Sequence, residues 1–263
     1  MKKHIGIMLI YLRNSIMNQM EYRINFISSI LLEIAYFFVK LTYVFVVVST
    51  QMTIGDLGPY HIVTFIGVFT TFTGIFCLFS PGIFSFSNKV YSGELDYFIT
   101  KPVSLLVISS LCQHNIGNTI ADVTSGAALI IWGLSKTKEM ITVSALALGI
   151  LLMLYSVVIA YFLFLLPQLL SFWILKVNKM SGLLWSLYDF NNMPMIIYPK
   201  SLQMFFIYII PIFLLTNPTG YAFLGRFKAW MLLSMVGVNI VLCGVFYLMW
   251  KKGLRRYHSS NMG

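Results

Sequence analysis

The sequence predicts an all-α membrane protein with six transmembrane helices. Three further elements accompany them: an N-terminal amphipathic interfacial helix, a short cytoplasmic helix between spans two and three, and a re-entrant extracellular segment before the last span. Three observations lead there. The 263 residues are 59% hydrophobic with a mean hydropathy of +0.84, more apolar surface than a soluble domain of this length needs. Several apolar runs reach the ~20 residues that cross a hydrocarbon core ~30 Å thick. Alternating strand-length segments of the kind that build an outer-membrane barrel are absent.

Residues 2–20 place Ile5, Met8, Leu9, Leu12, Ile16 and Met20 at helical spacing on one face, with Lys2, Lys3, Arg13, Asn14 and Asn18 largely elsewhere. This suits a helix lying on the cytoplasmic surface, and the plainer alternative is a frayed first turn of the next span. Lys2 and Lys3 ahead of an apolar run resemble the start of a signal peptide. Arg13 interrupts that run and no small-residue cleavage site follows, so no cleavage is expected.

Span one is expected over 24–48 and span two over 61–80, with Gly55, Gly58 and Pro59 in the polar turn between them. Span three covers 105–134 and span four 141–172, on either side of the short "SKTKEM" turn. Lys176 and Lys179 mark the next exit from the membrane. Pro194, Pro199, Pro211 and Pro218 then break an otherwise apolar stretch, which reads as a fifth span at 180–197 and a broken, re-entrant segment at 200–225. Non-helical backbone at membrane depth is tolerated only where protein or a wet cavity surrounds it. The last span is 229–250, so the chain forms a single transmembrane domain over 1–263.

Eighteen Lys and Arg against eight acidic residues give a net charge of +10. In a soluble chain that excess would suggest nucleic acid, but here the bases fall between spans and obey the positive-inside rule, so no nucleic-acid partner is expected. With both termini inside, twelve bases lie on the cytoplasmic side, five on the outer side, and Lys40 within a span. The stretch 91–104, "YSGELDYFITKPVS", therefore faces the cytoplasm.

The sequence predicts no catalytic, cofactor-binding or metal site. It has no G-x-x-x-x-G-K-[ST] loop, no H-E-x-x-H and no C-x-x-C, and its four histidines are scattered. Cys77, Cys112 and Cys243 each fall inside an apolar run and read as small buried hydrophobes.

Polar residues inside spans are costly and usually face the bundle or a wet cavity. Glu33 and Lys40 are seven apart, on one face but two turns from each other, so each needs another partner. Asn115, Asn118 and Asp122 form a polar stripe on span three, and Asp189, Asn191 and Asn192 interrupt span five. These residues mark either a polar pathway or subunit seam, or interhelical hydrogen bonds worth ~0.6 kcal/mol each. Gly67 and Gly74 could allow close helix contact but lack the G-x-x-x-G spacing.

In "SNKVYSGELDYFIT", helical periodicity sets Val90, Leu95 and Phe98 apart from polar neighbours, and Pro102 disfavours helix at Lys101. An amphipathic helix over 88–102 would be a knob for a soluble partner, and the alternative is a surface loop whose aromatics sit among lipid headgroups.

Here the chain resembles the permeases of type-2 ABC exporters, in particular the small six-span subgroup with a G-x-L-D-x-x-L-x-K-P segment. The matching residues are Gly93, Leu95, Asp96, Lys101 and Pro102, with Ile99 at the apolar position and Thr100 before the Lys-Pro pair. The Y-P and N-P elements of "MPMIIYPKSLQMFFIYIIPIFLLTNP" and the G-x-x-x-Y-x-S ending (Gly253, Tyr257, Ser259) resemble the same subgroup.

The resemblance implies a permease subunit in a bacterial cytoplasmic membrane, paired as a homo- or heterodimer and docked on two separate ABC ATPase subunits that bind MgATP. The helix between spans two and three would couple ATPase closure to transport through Gly93, Glu94, Leu95, Asp96, Phe98, Lys101 and Pro102. Lys251, Lys252, Arg255 and Arg256 would anchor the last span to membrane lipids. Two other readings stay open. One is a transporter driven by an ion gradient through Glu33, Asp122 and Asp189, and the other is a non-transporting membrane protein of the immunity type.

Overall fold

The computed structural model of the chain describes residues 10–11, 13–17, 20–21, 23–100, 104–111, 113–137, 142–174 and 177–257. Among these, the backbone is helical nearly throughout, and the β-type pairing is an isolated bridge between Ile54 and Leu57. The helices are α1 (Arg23–Ser49), α2 (Pro59–Tyr91), α3 (Leu95–Ile99), α4 (Leu105–Leu111), α5 (Ile116–Lys136), α6 (Val143–Leu169), α7 (Asn178–Tyr188), α8 (Lys200–Tyr208), α9 (Asn217–Phe223) and α10 (Ala229–Arg256). Stretches within α1, α2, α6 (with the 3-10 turn after it) and α10 make four helices long and apolar enough to cross a membrane.

The centre of the molecule is α2. It starts at Pro59, whose fixed φ suits the first helical position, and the His61 ring accepts a hydrogen bond from the Gly58 amide at 3.1 Å. Against it lies α5, antiparallel: Thr64 meets Gly133, Gly67 meets Gly126 and Ile130, and Gly74 meets Asp122 and Val123. These four glycines sit seven apart on each helix and let the two backbones touch. On its other side, α2 lines an aromatic core. Phe69 stacks on Tyr188, Phe76 packs on Phe164 and Trp185, and Phe86 packs on Phe172 and Trp250. Lipid offers little hydrophobic drive between helices, so this close packing is what holds them.

One end of the bundle gathers the turns before α2 and α10, where the Arg226 guanidinium bridges Asp56 at 3.0 Å. The opposite end gathers the last turns of α2, α6 and α10 around Phe172, which contacts Phe86, Trp250 and Tyr257.

In several places helix boundaries differ from those expected. The apolar run predicts span two over 61–80, but α2 runs 33 residues, because Ile83, Phe86 and Val90 continue its buried stripe beyond that run. The helix expected over 88–102 is split: residues to Tyr91 belong to α2, Gly93 turns the chain in the left-handed region (φ +76°), and α3 is five residues long. Lys101 and Pro102 lie outside the described residues. The stretch expected as span three holds two helices, α4 and α5. Asn115 caps α5, its side chain accepting from the Asn118 amide, so its polarity starts a helix instead of lining one.

Likewise, the stretch expected as span five holds the 11-residue α7, after which the chain tightens into 3-10 turns at Asp189–Asn192 and Met195–Ile197. Beyond it, α8 and α9 flank a break at Pro211, and every residue from 211 to 224 is buried. This backbone is anchored by a polar network. The Thr216 hydroxyl donates to Asn191 Oδ1 at 2.8 Å, and Asn217 Oδ1 accepts from the Met195 amide at 2.7 Å.

Before α1, residues 10–11, 13–17 and 20–21 are helical, and Ile16 and Met20 of the expected apolar face are exposed.

Candidate functional site

At the end of the bundle where α2 stops, the segment 88–100 is fixed to its own chain at several points. Leu95 is fully buried in the core, so of the two apolar residues expected to meet a partner, this one anchors the segment inward. The buried Lys89 ammonium donates to the Ser109 carbonyl on α4 at 2.7 Å and lies over the half-buried Phe98 ring at 5.8 Å. A lysine taken out of water needs such acceptors, since its charge is otherwise uncompensated. Lys89 thus links the foot of α2 to both α3 and α4. Asp96 is half-buried beside Tyr257, at the foot of α10. The Tyr257 hydroxyl lies within electrostatic reach of the Asp96 carboxylate and has no hydrogen-bond partner among the described residues. Burial first, and then that carboxylate, hold the Tyr257 phenol above its usual pKa, so it stays neutral. Outward, the segment shows Tyr91, Glu94 and Tyr97. The result is a short knob, acidic and aromatic on its surface, attached to the last turns of α2 and α10.

A second polar region crosses the bundle. Lys40 on α1 pairs with Asp122 on α5 at 3.0 Å, with 21% and 8% of their side chains exposed. Each charged residue finds its partner on another helix. Glu33 lies within electrostatic reach of both. Asp189 lies apart from the pair, at the turn after α7, and shares with Lys40 a cleft that also includes Tyr36 and Tyr43. Asn118 contributes its amide to the Asn115 cap. So the structure brings Glu33, Lys40 and Asp122 together, sets Asp189 across a cleft from them, and leaves Asn115 in a local role.

Lys251, Lys252, Arg255 and Arg256 are exposed around the last turns of α10, where positive charge also suits the helix dipole. Of the sequence's terminal motif, Gly253 lies in the last turn of this helix, Tyr257 follows it, and Ser259 lies outside the described residues. Gly253 leaves room for the Phe172 ring, and Tyr257 packs on the same ring. Sequence reasoning missed the roles of Lys89, Gly126 and Asn217. Lys89 stood among the surface bases, and only its position three residues after Phe86 on a buried stripe hinted otherwise. Cys77 and Cys243 are free thiols, half-buried, and Cys112 lies outside the described residues. Among the described residues, no group of three or more His, Cys, Asp or Glu side chains could hold a metal.

No curated protein and no solved structure matches the chain. The sequence profile described as "ABC-2 family transporter protein" matches residues 22–261, from the start of α1 past the end of α10. A match that takes in the long apolar helices, the knob after α2 and the terminal Gly-Tyr motif covers nearly the whole chain: it is a membrane permease belonging to the ABC-2 transporter family.

Proposed function

We propose that the protein is the permease subunit of an ATP-driven exporter, moving cargo outward across a bacterial cytoplasmic membrane with hydrolysis confined to a separate ABC ATPase. The observation that carries this is the knob at 89–100, because it has the properties a lever requires. Its outer surface presents the exposed Glu94, while Leu95 and Lys89 bind it to the bundle. A push on it would reach α2 and α4 directly and α10 through Tyr257. Family membership supports the same reading. MgATP would bind the partner.

In this reading six spans are formed by α1, α2, the α4–α5 pair, α6, α7 with its following turns, and α10. Both termini and the knob face the cytoplasm, and the exposed apolar side of residues 10–21 lies on the inner surface. The segment 200–225 dips into the outer leaflet, and most of its non-helical stretch falls within the buried residues 211–224, covered by protein as that depth requires. A second permease subunit would complete the pathway, covering apolar surface of the kind that α1 leaves open at Leu31, Phe38 and Phe45.

Affinity capture of the full chain from its native membrane tests the proposal. An ATP-binding subunit should copurify. Glu94→Arg, an exposed position, should cut that capture at least five-fold without changing membrane insertion. Capture that Glu94→Arg leaves unchanged, or transport in the absence of any ATPase, would remove the lever from the mechanism.

A further inference from the structure

We propose that the cleft between α1, α2 and the turn after α7 binds the positively charged group of an organic ammonium compound. The inference rests on the permease reading and names a class of cargo for it.

The cleft has a volume of about 350 Å³ and is lined by Tyr36, Lys40 and Tyr43 of α1, Phe69 of α2, and Asp189 and Asn192 beyond α7. That is at the lower end of the ~300–1,000 Å³ found for small-molecule sites, and enough for a headgroup-sized ligand. Lys40 at first favours an anion. Its charge, however, is already met by Asp122 at 3.0 Å, and Asp122 is nearly closed off from solvent behind it. The charge left over is Asp189, whose carboxylate has no hydrogen bond or ion pair among the described residues.

Glu33, two turns along α1 from Lys40, adds a third carboxylate against the single ammonium. Glu33 does not line the cleft, but it adds to the negative excess around the pair, and the cleft's α1 residues Tyr43 and Tyr36 lie ~10–20 Å from the end of α1 at Ser49, at 1.5 Å per residue. Asp189 is exposed at the turn after α7, so its carboxylate is open to a ligand in the cleft, and ionisable residues within membrane segments mark ligand or ion paths. Three of the lining side chains are aromatic, and ring faces attract cations, most strongly when the site is shielded from water. A carboxylate and three aromatic rings lining one cleft suit an alkylammonium or quaternary ammonium group with an apolar tail. In the proposed orientation the cleft opens in the outer half of the membrane, where a cargo would pass late in export.

The test uses the full chain in lipid nanodiscs and equilibrium dialysis with radiolabelled benzyltrimethylammonium. Benzenesulfonate, similar in size and opposite in charge, serves as the competitor. Binding above that of empty discs should be saturable. Asp189→Asn should weaken it at least ten-fold and Asp189→Glu should retain most of it. Tyr43→Leu, which keeps apolar bulk but removes the ring, should weaken it about three- to ten-fold, and benzenesulfonate should not compete. Absence of saturable binding, or binding that neither Asp189→Asn nor Tyr43→Leu alters, overturns the proposal. Saturable benzenesulfonate binding that Lys40→Met abolishes would show an anion site instead. Dialysis needs no ATPase. Loss of the ammonium site beside an intact ATPase capture would therefore sink this inference alone, and binding without any copurifying ATPase would sink the exporter reading alone.

Discussion

Lys40 and Asp122 are 82 residues apart in sequence, on different helices, and meet at 3.0 Å, one side chain partly exposed and the other nearly closed off. Removing one member of such a pair leaves the other as an uncompensated charge, which costs about 3–5 kcal/mol, whereas replacing both with apolar side chains can be neutral. Lys40→Met alone should therefore lower the thermal midpoint of the purified protein markedly, and Lys40→Met with Asp122→Leu should restore most of the loss. Two independent, additive losses would show that the pair is not coupled. Lys89 makes a different prediction. Its ammonium fixes the foot of α2 to the Ser109 carbonyl and to Phe98, and it is not on the exposed surface of the knob. Lys89→Met keeps the apolar stem and removes the hold. Capture of the ATPase should stay within about two-fold of wild type while transport per ATP hydrolysed falls at least five-fold. A matching loss of capture would make Lys89 a docking residue and not a positioning one.

Among the elements, the antiparallel contact of α2 with α5 is the closest. A Cβ placed on Gly126 would lie 2.5 Å from the Thr71 amide nitrogen, and one on Gly67 would lie 2.7 Å from the Ile130 nitrogen. Both neighbours are backbone, so the helices must separate to admit a methyl group. Gly126→Ala should destabilise by about 1–3 kcal/mol, the usual range for overpacking. Gly182→Ala is the matched control: its Cβ would meet nothing within 4 Å, and in the middle of α7 it should be neutral or stabilising by up to ~1 kcal/mol. Equal effects in thermal unfolding would show that the close contact does not decide the outcome. This contact also shows what could be read from the sequence. Gly67 and Gly74 stood out as permissive residues, but the matching spacing of Gly126 and Gly133 carries meaning only once α2 and α5 are known to be neighbours. The long apolar helices were legible because hydropathy is a local property. The end of α2, the break before α5 and the shortness of α7 were not, because each depends on what packs alongside: Ile83, Phe86 and Val90 extend a helix through polar sequence, and Asn115 caps one inside an apolar run. For the candidate site, the knob's position and its acidic surface could be read directly. The inward turn of Leu95 and the pairing of Lys40 with Asp122 required the third dimension.

For the molecule as a whole, the two ends of the bundle differ in charge, and that difference makes its orientation testable. One end holds the Arg226–Asp56 bridge with Lys136 at the close of α5 and Lys228 before α10. The other holds Lys89, Lys251, Lys252, Arg255 and Arg256, along with the knob. Basic residues close to the ends of spans are retained on the cytoplasmic side, so the richer end should lie inside. Single cysteines report this directly, because Cys77 and Cys243 are half-buried in the bundle and can be replaced by alanine or serine together with Cys112. Thr137→Cys, at the end of α5, should react with a membrane-impermeant maleimide in intact cells. Ser92→Cys, exposed at the turn between α2 and α3, should react only after the membrane is opened. The expected contrast is at least ten-fold in labelling of the two sites before permeabilisation. The reverse pattern would put the knob outside, out of reach of any ATPase in the cytosol, and no lever driven from that side could then act on it.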